Sequence, residues 1–225
     1  MKLLLVEDED ALGRAIQQYL TQESYICEWA KDLDEALDKV GVYEYDCVMV
    51  DLTLPGGSGF EIIKALKEAR STAGIIIISA RNALDDKLYG LDLGSDDYLP
   101  KPFHLAELNS RVKAILRRRV AQGQNTITAG KLTVLPDAQL ASVNDKPLTL
   151  TRKEYDLLFY LINNRNRVLS KSTIAEHLYG DDIDQADSFN FLYSHIKNLR
   201  KKLIDAIGED YIQSVYGIGY KFAEA

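Results

Sequence analysis

The segment Cys47-Val48-Met49-Val50-Asp51-Leu52-Thr53-Leu54-Pro55-Gly56-Gly57 decides the fold. Four apolar residues in succession, closed by an aspartate and a Pro-Gly-Gly turn, read as a strand covered on both faces. A strand with one wet face would alternate instead. Helical spacing begins at once after the turn, over residues 58–69.

The same grammar continues in both directions. Upstream, Leu3-Leu4-Leu5-Val6 is a second unbroken apolar run. Residues 11–22 follow, with Leu12, Ile16, Tyr19 and Leu20 on one helical side, then a strand over Ile26–Ala30 and a helix over 33–41. Downstream, Gly74 opens the run Ile75-Ile76-Ile77-Ile78. A helix over 83–93, a short strand over 97–99 and a helix over 104–118 complete the region. Five strands alternating with five helices predict a parallel α/β sheet, doubly wound, with helices on both faces.

Beyond Arg117-Arg118-Arg119 the pattern changes. Residues 121–125 are polar and lack apolar period, so they read as a linker between a first domain, 1–120, and a second, 126–225. Short strands come next, over 126–128, 132–135, 139–143 and 148–150, divided by Pro136-Asp137 and Asn144-Asp145. Thr151 with Glu154 three residues on predicts a capping box for a helix burying Tyr155, Leu158, Phe159 and Ile162. Ser170 is the expected cap of a helix through Leu178. A loop over residues 179–186, a long helix over 187–204 and a terminal hairpin around Gly217 and Gly219 follow. Helix–turn–helix followed by a hairpin is the order of an α+β winged helix.

Composition sets limits. The 225 residues hold no apolar run long enough for a membrane span, and the start, with acids from Glu7 onward, lacks the form of a signal peptide. Cys27 and Cys47 both lie in strand-like runs and form no spacing motif, which predicts core thiols in a reducing cytoplasm. Residues 1–120 carry 15 Lys and Arg against 21 Asp and Glu, and residues 121–225 carry 12 against 13. Neither half is basic, so any nucleic-acid surface must be local.

Ligands of parallel sheets gather at the carboxyl ends of the strands. In this sequence those ends carry Glu7-Asp8, Asp51, Ser79 and, after the last strand, Lys101. Clustered carboxylates repel, so Glu7, Asp8 and Asp51 require a cation, and all-oxygen ligands favour a hard one such as Mg²⁺. A phosphoryl group could then be held at Asp51, with Lys101 as a point charge and Ser79 as a donor.

Four separated pieces carry a specific resemblance: Val6-Glu7-Asp8-Glu9, the segment from Val50 to Gly59, Ser79-Ala80-Arg81, and Asp96-Asp97-Tyr98-Leu99-Pro100-Lys101-Pro102-Phe103. Together they resemble the receiver (flavodoxin-like) domain of bacterial response regulators. The second half resembles the winged helix of the OmpR/PhoB type, in Leu150–Leu158, His195–Leu203 and Gly217–Phe222. The resemblance implies a phosphoacceptor at Asp51, loaded by a sensor histidine kinase. It implies Mg²⁺ on Asp8, Asp51 and the carbonyl of Thr53, with Glu7 acting through water, and a cis Lys101–Pro102 bond. Ser79 and Tyr98 become the switch pair. Thr53 and Arg81 tune dephosphorylation.

Phosphorylation is then expected to favour a homodimer through the fourth helix, fifth strand and fifth helix, with Lys87, Asp96, Asp97, Glu107 and Arg111 on that face. Lys87 is expected to pair with Glu107, and Asp97 with Arg111, across copies. The DNA contacts implied are Asn190, His195, Lys197, Asn198, Arg200, Lys202, Ser214 and Tyr216, on tandem half-sites. Asn198 suits adenine and stands where the family often has Arg. Tyr216 stands where some members place an Arg for the minor groove. The loop over 179–186 is the expected contact for RNA polymerase. The alternatives are a DNA-binding regulator indifferent to phosphate, a Mg²⁺-dependent phosphotransferase or phosphatase, and a winged helix that docks protein.

Overall fold

The computed structural model describes residues 1–80, 84–120, 126–136, 138–180 and 188–224. The chain forms two compact units, Met1–Arg119 and Val120–Ala225. Among the described residues no helix is long and apolar enough to cross a membrane.

In the first unit the elements run β1 (Lys2–Val6), α1 (Asp10–Gln22), β2 (Ile26–Ala30), α2 (Leu33–Val42), β3 (Cys47–Asp51), then β4 (Thr53–Leu54) and β5 (Gly57–Ser58). They continue with α3 (Gly59–Glu68), β6 (Gly74–Ser79), α4 (Leu84–Asp92), β7 (Asp97–Pro100) and α5 (Leu105–Val120). Five strands form one parallel sheet in the order β2-β1-β3-β6-β7. The order is that of flavodoxin-like sheets.

Alternation along each strand sorts the apolar residues onto two faces. Leu4, Val6, Val48, Val50, Ile75 and Ile77 pack with Leu33, Ala36, Phe60, Ile62, Ile63 and Leu66 of α2 and α3. Leu3, Leu5, Cys47, Met49, Ile76 and Ile78 pack with Ile16 and Leu20 of α1 and with Leu108, Val112 and Ile115 of α5. Each such buried side chain contributes about 1.5–3 kcal/mol, which is why these runs do not tolerate a wet face. Both cysteines are free and buried, and burial pushes the Cys27 thiol up to about 12.

The second unit opens with an antiparallel sheet of β8 (Ile127–Ala129), β9 (Leu132–Leu135), β10 (Leu140–Val143) and β11 (Lys146–Leu148), in the order β11-β10-β9-β8. Then come α6 (Arg152–Asn163), β12 (Val168–Ser170), α7 (Lys171–Tyr179), α8 (Ser188–Ile207), β13 (Ile212–Val215) and β14 (Gly219–Phe222). Thr151 and Glu154 form the capping box of α6, and Ser170 caps α7 through the Thr173 N–H. Tyr155, Leu158, Phe159 and Ile162 are all buried.

Three local readings shift. The fourth platform strand spans Lys146–Leu148 rather than 148–150, because Ala141 pairs with Leu148 and Val143 with Lys146 across a tight turn at Asn144 and Asp145. The long helix runs on to Ile207, since Leu203 and Ile207 extend its buried stripe. The terminal hairpin is part of a three-stranded sheet, β12-β14-β13. A three-residue strand such as β12 has too little pattern to read alone, and Gly219 betrays it only in three dimensions. A Cβ there would lie 1.9 Å from the Leu169 carbonyl oxygen. The linker 121–125, Arg81, and most of the 179–186 loop fall outside the described residues.

Candidate metal centre and nucleic-acid interface

The strand order reverses about β1 and β3, and a crevice opens where such a reversal occurs, at the carboxyl ends. Glu7 and Asp8 follow β1 directly, and Asp51 ends β3. One carboxylate oxygen from each lies within 4.8 Å of the others. Glu7 and Asp51 are buried, and Asp8 is exposed. The Lys101 Nζ reaches in from the end of β7, 2.6 Å from Asp51 Oδ2 and 2.8 Å from Glu7 Oε1. The Lys101–Pro102 peptide is cis.

Asp51 is fixed from behind as well. The Thr53 N–H donates to its Oδ1 at 2.9 Å. Gly59, the first residue of α3, sits against its backbone, where a Cβ would come 2.0 Å from the Asp51 carbonyl oxygen. Only glycine lets the start of α3 approach that closely. Ser58 and Glu61 form the capping box that starts α3 there.

The electrostatics follow from burial. Desolvation raises Glu7 above the usual carboxylate range, and its hydrogen bond to Lys101 only partly offsets that. Burial pulls Lys101 down, but hydrogen bonds to Asp51 and Glu7 outweigh it and raise the amine. Three carboxylates around one ammonium leave the pocket short of positive charge. An all-oxygen donor set of this kind fits a hard divalent cation.

Ser79 ends β6, wholly buried, and its carbonyl accepts the Lys101 N–H at 2.9 Å, so the two residues are neighbours across the sheet. Tyr98, on β7, is half-buried at the edge of the α2–α3 core, with the Lys87 ammonium 5.5 Å from its ring centre.

On the α4–β7–α5 face some of the same residues also pair within the chain. Arg111 binds Asp97 bidentately, at 2.8 and 2.9 Å, and Glu107 one turn away at 2.8 Å, all within one chain. Asp96 accepts the Ile75 N–H at 2.9 Å and so holds the start of β6.

In the second unit α8 separates its charges by angle. Leu192, Ile196, Leu199, Leu203 and Ile207 form its buried stripe. Asn190, Lys197 and Asn198 are exposed, and His195 is half-exposed. Ser214, on β13, is exposed, and Tyr216 stands fully exposed at the hairpin tip. Two cations of the expected DNA set are engaged within the unit. Arg200 forms a bidentate pair with Asp210, whose hydrogen bonds raise its guanidinium further. The Lys202 ammonium is 2.7 Å from Glu154 and 3.0 Å from the Thr149 carbonyl oxygen. Lys202 flanks the buried stripe, and Glu154 is almost wholly buried, so the α6 cap claims the ammonium. Reading the basic run as one block missed that division. It also missed Lys171, which reaches α8 by donating to the Tyr193 hydroxyl at 2.8 Å. Between α8 and the hairpin, Tyr193, Lys197, Arg200, Lys201, Ser214 and Tyr220 line a groove of about 490 Å³.

Comparison with known proteins gives two family matches, a response regulator receiver domain over residues 3–113 and a transcriptional regulatory protein C-terminal domain over residues 145–222. The chain is 38% identical over 224 residues to the two-component response regulator PhoP of Pseudomonas aeruginosa, covering 100% of this chain and 99% of that one. It is 36% identical over 224 residues to the transcriptional regulatory protein QseB of Escherichia coli O157:H7, covering all of both. Among solved structures, the receiver domain of Francisella response regulator 1452 is 32% identical, with a TM-score of 0.50 over 52% of this chain and 97% of that one. A CheY-like receiver domain protein from Methanospirillum hungatei is 25% identical, with a TM-score of 0.52 over 54% of this chain and 98% of that one. A receiver unit with an acidic crevice, joined to a winged helix and matched along its whole length by such regulators, places this chain in the OmpR/PhoB family of two-component transcriptional response regulators.

Proposed function

We propose that Asp51 accepts a phosphoryl group from a sensor histidine kinase and that this modification governs how the winged helix occupies DNA. The observation that carries the reading is the convergence of Glu7, Asp8, Asp51 and Lys101 in one crevice. Asp8, Asp51 and the Thr53 carbonyl, with Glu7 through water, would hold Mg²⁺, which would neutralise the carboxylates and the incoming phosphoryl oxygens. The Asp51 oxygen forms the new P–O bond as the P–N bond of the kinase phosphohistidine breaks. Thr53 and Gly59 keep that carboxylate in place. Lys101 stands ready to follow the added charge as a point cation. Ser79 is within reach of the same crevice, and its movement would leave space that the half-buried Tyr98 ring can fill.

That repacking alters the α4–β7–α5 face. Arg111, Asp97 and Glu107 would exchange their same-chain partners for those of a second copy, with Lys87 joining Glu107. Exposed pairs of this type contribute only about 0–1 kcal/mol each, so the dimer requires several and forms only when the face is reshaped. Two winged helices then meet tandem half-sites, and the second binds through raised effective concentration. Asn190, Lys197, Asn198 and His195 present themselves to the major groove, and Ser214 and Tyr216 to the flanking backbone.

Acetyl phosphate with Mg²⁺ should retard the wild-type chain on a phosphate-affinity gel and leave Asp51→Ala unshifted. Phosphorylated wild type should bind tandem sites more tightly than Asp51→Ala. Equal binding by the two refutes the coupling and favours a regulator that ignores phosphate.

A further inference from the structure

The end of β1 is held by a side chain that the pocket chemistry does not use. Beyond the last ladder pair with β2, Val6 with Ala30, the Glu7 N–H still donates to the Ala30 carbonyl oxygen at 3.1 Å, and the chain then leaves the sheet at Asp8. The indole Nε1–H of Trp29 donates to the Glu7 carbonyl oxygen at 2.8 Å. That carbonyl belongs to the peptide linking the two acids.

The indole has little freedom. It lies on Gly13 in α1, where a Cβ would come 2.3 Å from Trp29 Cζ2 and 2.4 Å from Cε2. A glycine within a helix is unfavourable unless something must approach closely, and here the approaching group is this ring. Lys31 also packs on the ring, with its ammonium 4.8 Å from the ring centre and 2.6 Å from the carboxylate of Asp10, the first residue of α1. The ring therefore ties the β1 end to α1 and to the chain after β2.

We infer that Trp29 is the positioning residue of the acidic crevice: its N–H fixes the peptide between Glu7 and Asp8, so its loss weakens divalent cation binding without removing any ligand. The inference rests on the crevice being the Mg²⁺ site proposed above. Trp29 is also the one tryptophan in the chain. Its emission is therefore a built-in reporter of events at that peptide.

The test uses the full chain and Mg²⁺ alone. Calorimetry gives the dissociation constant for wild type, Trp29→Phe and a chain with benzothienylalanine at position 29, which keeps the indole shape but lacks the donor. Loss of one hydrogen bond of this kind is worth a factor of about 2–10, so both variants should bind Mg²⁺ several-fold more weakly. Wild-type emission should change on Mg²⁺ addition with the calorimetric midpoint, and Asp8→Asn should abolish the change. If the variants unfold at lower temperature but bind Mg²⁺ like wild type, Trp29 only packs and the inference is overturned. Wild-type emission indifferent to bound Mg²⁺ overturns it too. If wild type binds no Mg²⁺, the metal reading of the crevice fails first and takes this inference with it.

Discussion

Replacing Lys101 by Met keeps the apolar stem of the side chain and removes the ammonium that, among the described residues, hydrogen-bonds both Asp51 and Glu7. It lies 2.6 Å from Asp51 and 2.8 Å from Glu7, and only 17% of it is exposed. Removing one partner of a buried ion pair costs about 3–5 kcal/mol, because the remaining charge stays buried and unpaired. The partial exposure of Lys101 puts the expected loss near the low end, about 3 kcal/mol. For a unit the size of Met1–Arg119 that corresponds to a melting temperature lower by about 10 °C. The gap narrows when a divalent cation is supplied. A crevice with one positive charge fewer attracts Mg²⁺ more strongly, and each tenfold by which the variant binds it more tightly closes the gap by about 1.4 kcal/mol at saturation. Scanning calorimetry of the full chain should therefore show a large gap between wild type and Lys101→Met in EDTA, and a smaller gap in excess Mg²⁺. Equal melting in EDTA, or a gap that Mg²⁺ leaves untouched, refutes the electrostatic account of the crevice.

Gly59→Ala should destabilise the first unit by about 3 kcal/mol or more, as overpacking against backbone does, and denaturant unfolding would read it. Lys202→Met should lower the stability of the second unit by about 1–2 kcal/mol while leaving the salt dependence of DNA binding unchanged, since Glu154 holds its ammonium. Burial pushes Glu154 up, but Lys202 and the Thr151 N–H pull it net below the ordinary glutamate range. Its contribution is thus present above the unfolded value, about 4.3, and disappears as the pH falls through the lower folded value. Acid titration of unfolding should show this in wild type and not in Lys202→Met. Lys197→Ala, by contrast, should reduce the slope of log K against log salt by about 1, and an unchanged slope would remove Lys197 from the interface. Asn198→Ala should relax base preference at one position, at a cost of about 1–3 kcal/mol on the preferred site, as selection of bound duplexes would reveal.

The main lines of this protein are local in the sequence. Runs such as Leu3–Val6 and Ile75–Ile78 can only be strands covered on both faces, and their alternation with helical spacing dictates a parallel sheet. A chain that places acids after the first strand and at the end of the third puts them at one crevice, because parallel strands share a direction. Thr151 with Glu154, Ser170, and the glycines around residue 218 mark caps and a turn that depend on neighbours a few residues away. These features were legible because the forces that produce them act over one or two turns of chain.

What tertiary structure decided is which partner each charge takes. Lys202 reaches Glu154 across 48 positions of sequence, Arg200 is held by Asp210, and Arg111 turns to Asp97 within its own chain. Trp29 finds a carbonyl 22 residues away, and β12 becomes a strand only because β14 lies beside it. Successive residues of a helix point about 100° apart, so a basic run in sequence is several different surfaces in space. A side chain's role depends on the nearest complementary group in three dimensions, and periodicity gives its direction but not what it meets there.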